Sequence, residues 1–163
     1  MSKTSEVVRP AWHVYFMKMA KLVSERSTCL RRQVGAVLVK NNQVIASGYN
    51  GAPKHVEHCS IYNCLREKFN VPSGEKHELC RGVHAEQNTI IQAAVNGSSL
   101  DGAVLYCTNF PCSICAKMII NAEIKYVFVT EDYPDNLAKA MFTEANTEVI
   151  MIDIKNNNLV KLI

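Results

Sequence analysis

The chain has 163 residues, 48% hydrophobic and 20% charged, with a formal net charge of +3. This composition describes a globular chain with an ordinary core and excludes a disordered one; the charge is too mild for a protein that coats nucleic acid or for a polybasic membrane anchor. No apolar run approaches the ~18 residues of a membrane span, and residues 1–10 have no apolar stretch after their charges, so a soluble, cytoplasmic protein without a secretory signal is expected.

Residues 10–27 carry Trp12, Tyr15, Phe16, Met19, Ala20 and Val23 at helical spacing, with Pro10 suited to the first turn. His13 falls inside this pattern and reads as a partly buried core histidine. Residues 34–39 form a valine-rich apolar run, Asn41-Asn42 follows, and residues 43–49 resume an extended pattern. That arrangement predicts a β-hairpin around the asparagine pair. Residues 50–82 are irregular, broken by Gly51, Pro53, Pro72 and Gly74, with a short helix near 61–69. So long a stretch with little regular structure is unusual in a compact domain, and something other than an apolar core must hold it.

From residue 83 the pattern is helical again, with Ile90, Ile91, Ala94 and Val95 on one side and Asn96-Gly97 at its end. A strand is expected at 103–108, then a helix to about residue 122 with Pro111 in its first turn. A strand at 124–130, a helix at 136–145 and a strand at 148–152 follow; residues 155–163 are too short to assign. Helices alternating with strands after the hairpin make that part of the sheet parallel. The expected fold is α/β, a three-layer α/β/α sandwich around a five-stranded mixed sheet. It occupies a single domain over residues 1–163, with a Cys/His-rich insertion at about 51–82.

The chain has seven cysteines, at 29, 59, 64, 80, 107, 112 and 115, and four of its five histidines lie between residues 55 and 84. In a reducing compartment such clustering points to metal or catalysis before disulfides, and the mixture of thiol and imidazole points to zinc. Cys107 lies on a predicted strand and reads as core. His84-Ala85-Glu86 opens one predicted helix, and Pro111-Cys112-Ser113-Ile114-Cys115 opens the next long one. Cys112 and Cys115 are three residues apart, so their thiols face the same way. The electropositive helix starts favour thiolate. One imidazole and two thiolates leave the fourth tetrahedral position open, as a catalytic zinc requires. Glu86, two residues from His84, is placed to act as a base without ligating. Either half of this constellation is weak alone. Together they reproduce the H-x-E…P-C-x-x-C pattern of zinc nucleobase deaminases.

At these residues the sequence resembles the cytidine/deoxycytidylate deaminase superfamily, in its deoxycytidylate branch and near the bacterial late-competence-operon proteins. The likeness runs from about Trp12 to about Ile152. Its marks include Arg26-Ser-Thr-Cys29, Gly48-Tyr-Asn-Gly-Ala-Pro53, His58-Cys59, Glu78-Leu-Cys80, Val83-His-Ala-Glu-Gln-Asn88 and Glu131-Asp-Tyr133. The resemblance implies zinc-dependent hydrolysis of deoxycytidylate (dCMP) to dUMP and ammonia, supplying dUMP for thymidylate synthesis. Glu86 would shuttle the protons while water attacks C4. It further implies that Asn50 contacts the sugar hydroxyl, that Ala85 and Tyr133 line the substrate, and that Gly48-Tyr49-Asn50-Gly51 senses dCTP as activator and dTTP as inhibitor. The resemblance also implies a homohexamer with nucleotide effectors at its subunit contacts. A second, structural zinc is implied as well, with Cys29 and Cys59 among its ligands. The others come from Cys64, Cys80, His58 and His77, of which Cys64 and Cys80 are favoured, giving a closed four-thiolate site. Arg26, beside Cys29, is the candidate for the 5′-phosphate.

Two other readings compete. A tRNA adenosine, cytidine or guanine deaminase shares the zinc core, but a polynucleotide enzyme needs a more basic, aromatic-lined groove than +3 and 7% aromatics provide. A zinc-scaffolded binding module would have no use for a carboxylate at Glu86.

Overall fold

The computed structural model describes residues 9–163; residues 1–8, read above for a targeting signal, lie outside the described residues. Strands β1 (Gly35–Lys40) and β2 (Gln43–Tyr49) form the expected hairpin, with Lys40 opposite Gln43. Asn41 and Asn42 have φ of 51° and 57°, the left-handed backbone that a two-residue type I′ turn demands and that asparagine tolerates. β1 also pairs antiparallel with β3 (Val104–Cys107). From β3 the sheet continues in parallel through β4 (Tyr126–Val129) to β5 (Glu148–Asp153).

The sheet has six strands where five are expected. β6 (Asn158–Lys161) runs antiparallel to β5 at the edge, giving the order β2-β1-β3-β4-β5-β6. Asp153 builds the intervening turn: its Oδ1 accepts from the backbone N–H of Lys155 and Asn156, and its Oδ2 from the Asn156 side chain. All four β6 residues are exposed, so the strand carries no buried alternation for a sequence reading to find.

Alternation along the strands divides the core between two faces. Val37, Val39, Tyr106 and Phe128 meet Phe16, Met17 and Ala20 of helix α1 (Trp12–Ser24) on one side. Ala36, Leu38, Leu105, Cys107, Val127 and Val129 face the other side. There they are covered by three helices that follow two very short ones, α2 (Cys59–Tyr62) and α3 (Leu65–Lys68). The covering helices are α4 (Ala85–Val95), α5 (Ser113–Asn121) and α6 (Asn136–Glu144). This is the expected three-layer arrangement. Gly48 permits it locally, because a Cβ there would stand 2.6 Å from the Thr89 backbone nitrogen of α4.

Pro10 and Pro111 are expected in first helical turns, yet each stands just before an N-cap residue, Ala11 and Cys112, which keep extended ψ of 149° and 169°. The single helix expected near 61–69 is split into α2 and α3 by Asn63, whose φ is 65°. A 3₁₀ turn at His77–Leu79 is the remaining regular element of the insertion. Gly51 and Val83 fasten its two ends, each N–H donating to the other's carbonyl at 3.1 and 2.8 Å. No helix among the described residues is long and apolar enough to cross a membrane.

Candidate metal and active site

The two helix starts that carry the expected ligands meet beyond the carboxyl end of β3. His84 is the N-cap of α4, its backbone N–H held by Gln87 Oε1 at 2.9 Å. Cys112 is the N-cap of α5, and Cys115 lies in that helix's first turn. Asp135 fixes the start of α5 from outside: its Oδ2 accepts from the Ser113 N–H at 2.8 Å while its Oδ1 caps α6 through Ala138. One aspartate therefore satisfies orphan donors of two helices, a long-range role invisible in the linear sequence.

His84 Nδ1 stands 3.4 Å from Cys112 Sγ and 3.4 Å from Cys115 Sγ. Ligand bonds of ~2.3 Å to sulfur and ~2.1 Å to nitrogen at a tetrahedral angle would place N and S ~3.6 Å apart, so the donor set fits zinc as it stands. Its protonation fits too. The Cys112 thiol is pulled down to about 4, foremost by its hydrogen bond with Cys115 and also by His84, against the cost of burial. Cys115 is pushed well up because it keeps the proton it shares with Cys112. His84 is raised, chiefly by its hydrogen bond to Cys112. The pair thus shares one proton between its two sulfurs, the proton that a bound metal cation would replace.

Glu86 is 5% exposed in the first turn of α4, with a carboxylate oxygen within 4.8 Å of the His84 and Cys115 donor atoms. Burial pushes its carboxyl up, with His84 pulling the other way. A buried carboxyl poised above its ordinary range can both take and return a proton. Cys107, fully buried beneath it on β3, is core as expected.

These groups open into a cavity of about 370 Å³, a volume suited to a small molecule. Asn50, Ala85 and Tyr133 line it. Asn50 spends most of its amide on its own chain: Oδ1 accepts from Ser27 Oγ and the Val34 N–H, and Nδ2 donates to the Arg32 carbonyl. One amide hydrogen remains. Tyr133 lies under the Arg32 guanidinium, 5.6 Å from ring centroid to Cζ. Gly48 is buried against α4, and the Tyr49 carbonyl accepts from Asn88 Nδ2, while Asn50 and Gly51 reach the cavity. Arg26 lies past the end of α1, is exposed, and does not line the cavity; Arg31, Arg32 and Arg66 do.

Cys29, Cys59, Cys64 and Cys80 are free thiols around the same cavity. Burial, then Cys80, Cys29 and Cys64 in that order, push the Cys59 thiol up. Among the described residues, the donor groups that close to within 4.8 Å both contain His84. One of them includes His77, whose ring meets His84 edge-on at 5.2 Å between centroids. Both His77 ring nitrogens are buried without a hydrogen-bond partner. The sequence offers His77 as an alternative for the second site; the structure sets it against the first. His58 instead bonds Thr28 Oγ1 at 2.9 Å.

Residues 10–131 match the family described as the cytidine and deoxycytidylate deaminase zinc-binding region. The ComE operon protein 2 of Bacillus subtilis is 38% identical over 91% of this chain and 78% of its own length. The deoxycytidylate deaminase of Schizosaccharomyces pombe is 39% identical over 77% of this chain, which spans only 38% of that protein. The crystal structure of the dCMP deaminase from cyanophage S-TIM5 in complex with dCMP and dUMP aligns with a TM-score of 0.70 at 32% identity. That alignment covers 87% of this chain and 97% of the phage one. The zinc-ready triad of His84, Cys112 and Cys115, with Glu86 beside it, lies inside the matched region, and the chain belongs to the cytidine and deoxycytidylate deaminase zinc-binding family.

Proposed function

We propose that this protein hydrolyses dCMP to dUMP and ammonia, with zinc held by His84, Cys112 and Cys115. The observation that carries the proposal is the buried carboxylate of Glu86 beside the three donors His84, Cys112 and Cys115, with a lined cavity in front of them. The relatives named deoxycytidylate deaminase and the phage structure with dCMP and dUMP supply the substrate.

Bound zinc supplies Lewis-acid activation of the attacking water. The remaining steps belong to the chain. Glu86 accepts the water's first proton as oxygen bonds to C4 and delivers it to N3; it then takes the remaining proton of the new C4 hydroxyl and delivers it to the departing amine as the C4–N bond breaks. One water is consumed and one ammonia released. Ala85 and Tyr133 flank the nucleotide, and the spare Asn50 amide hydrogen is available to a sugar hydroxyl. The dry, low-dielectric wall around Glu86 strengthens each of these contacts.

The same proposal includes a structural zinc on Cys29, Cys59, Cys64 and Cys80. It also includes a cytoplasmic, hexameric enzyme whose Gly48–Gly51 segment responds to dCTP and dTTP, as its relatives' resemblance implies. Glu86→Ala tests the chemistry. It should leave the fold and the zinc content intact while lowering dCMP turnover by ~10³-fold or more, the scale of a lost general acid–base. Retained turnover would remove Glu86 from the reaction.

A further inference from the structure

His77 opens the 3₁₀ turn at His77–Leu79, and both its ring nitrogens are buried without a hydrogen-bond partner. A neutral imidazole carries one donor and one acceptor nitrogen, and burial strips both of water. Buried polar groups are otherwise satisfied, so a ring left bare at both nitrogens marks a place for something the chain does not supply. A nitrogen of this ring, a nitrogen of His84 and Cys112 Sγ all lie within 4.8 Å of one another, an edge that a zinc tetrahedron shortens to ~3.6 Å. Burial lowers the His77 pKa first, and the charges that act next on its ring are those of Cys112 and His84.

Two donor trios share His84 and divide the thiols, His77 standing with Cys112 and Glu86 with Cys115. The second imidazole therefore approaches the metal position without displacing the carboxylate. It also has somewhere to go. A second cavity, of about 420 Å³, opens between the insertion and helices α4 and α5, past Glu78, Gln87 and Ile114. His77 lines both this cavity and the one in front of Glu86, so its ring stands in the wall between two spaces. A three-residue turn carries it, so a small backbone change suffices to move the ring from one space to the other.

Building on the proposed zinc site, we infer that His77 is a fourth protein ligand that caps the catalytic zinc in the resting enzyme and withdraws into the second cavity when a nucleotide enters. Two imidazoles and two thiolates make the neutral donor set of closed structural zinc sites. Capped in this way the metal is held tightly and carries no bound water. The nucleotide supplies the differential contact that a switch requires, because it fills the cavity the ring must leave. The cap thus couples an open metal position, and with it the water that Glu86 serves, to an occupied site.

The test loads wild type, His77→Ala and His77→Cys with cobalt(II) and reads the visible spectrum with and without azide or dUMP. Zinc dissociation constants come from chelator competition on the zinc-loaded proteins. Wild-type cobalt protein should ignore azide at a concentration that saturates His77→Ala, whose spectrum should shift as the anion takes the vacated position. A closed thiolate site elsewhere in the chain gives no such response. Addition of dUMP should move the wild-type spectrum away from its capped form. Zinc should leave His77→Ala at least ~10-fold more readily, a loss seen even for residues that only brace a ligand. His77→Cys replaces the imidazole with a smaller ligand, so it should resist azide and strengthen the thiolate-to-cobalt band. Where His77→Ala does not fold, wild type and His77→Cys decide: both should resist azide. A wild type that binds azide as readily as His77→Ala overturns the cap, as does unchanged zinc affinity. Loss of one whole zinc of two from His77→Ala overturns it too and gives His77 to the outer thiols. A wild type that deaminates dCMP yet is open to azide refutes the cap and keeps the deaminase. One that resists azide through His77 and releases no ammonia keeps the cap and refutes the deaminase.

Discussion

Single residues set both the chemistry and its pH limits. His13 shows the second effect away from the site. Its Nδ1 pairs with the Tyr106 hydroxyl at 2.9 Å and its ring stacks on Phe128 at 4.4 Å between centroids. Burial lowers its pKa below 6.5. The unfolded chain therefore takes up a proton before the folded one does, so His13's contribution to stability is full above 6.5 and declines as pH falls through and below it. Urea melts of wild type and His13→Gln between pH 8 and 5 should show a shallower acid decline in the variant. Parallel curves would contradict this account. His13 was legible as a core histidine because the helical spacing around it is local. The same holds for His84, Glu86, Cys112 and Cys115, whose positions follow from two helix starts. The approach of His77 to His84 was not legible, because it depends on how the insertion folds back to the site.

At the scale of elements, the hairpin could be read directly, since two asparagines in left-handed conformation are a local device. β6 could not, because an exposed edge strand of four residues leaves no periodicity, and only the Asp153 turn chemistry marks it. The insertion between Gly51 and Val83 is the element most dependent on something beyond packing. It holds two four-residue helices, a 3₁₀ turn, and Val71, Cys64 and Arg66 as its buried side chains. Four thiols placed around one cavity suit a metal clasp for it, in keeping with the proposed second zinc. Cys59→Ser should remove one zinc per chain and lower the melting temperature by several degrees, read by metal analysis and thermal unfolding. An unchanged zinc content would rule the clasp out. Asp135 shows the complementary point, since one side chain caps α5 and α6 together and so ties the catalytic thiols to the far edge of the site.

Across the whole molecule, the α/β/α layering was foreseeable from alternating apolar patterns, and its consequence for function is placement. β1 and β3 run antiparallel, so the start of one and the end of the other meet where Gly35 and Thr108 exchange hydrogen bonds at 3.2 and 3.0 Å. The helix starts bearing His84 and Cys112 converge at that end, and the insertion closes over them. Fold and zinc motif alone are common to deaminases of several substrates, so the substrate is the claim most in need of a direct answer. The measurement is ammonia release by the purified protein from dCMP, cytidine, deoxycytidine and dCTP, each with and without low concentrations of dCTP or dTTP as effector. The account predicts dCMP as the preferred substrate by a wide margin, with turnover raised by dCTP and lowered by dTTP. Preference for the unphosphorylated nucleosides, or no ammonia from any of the four, would contradict it.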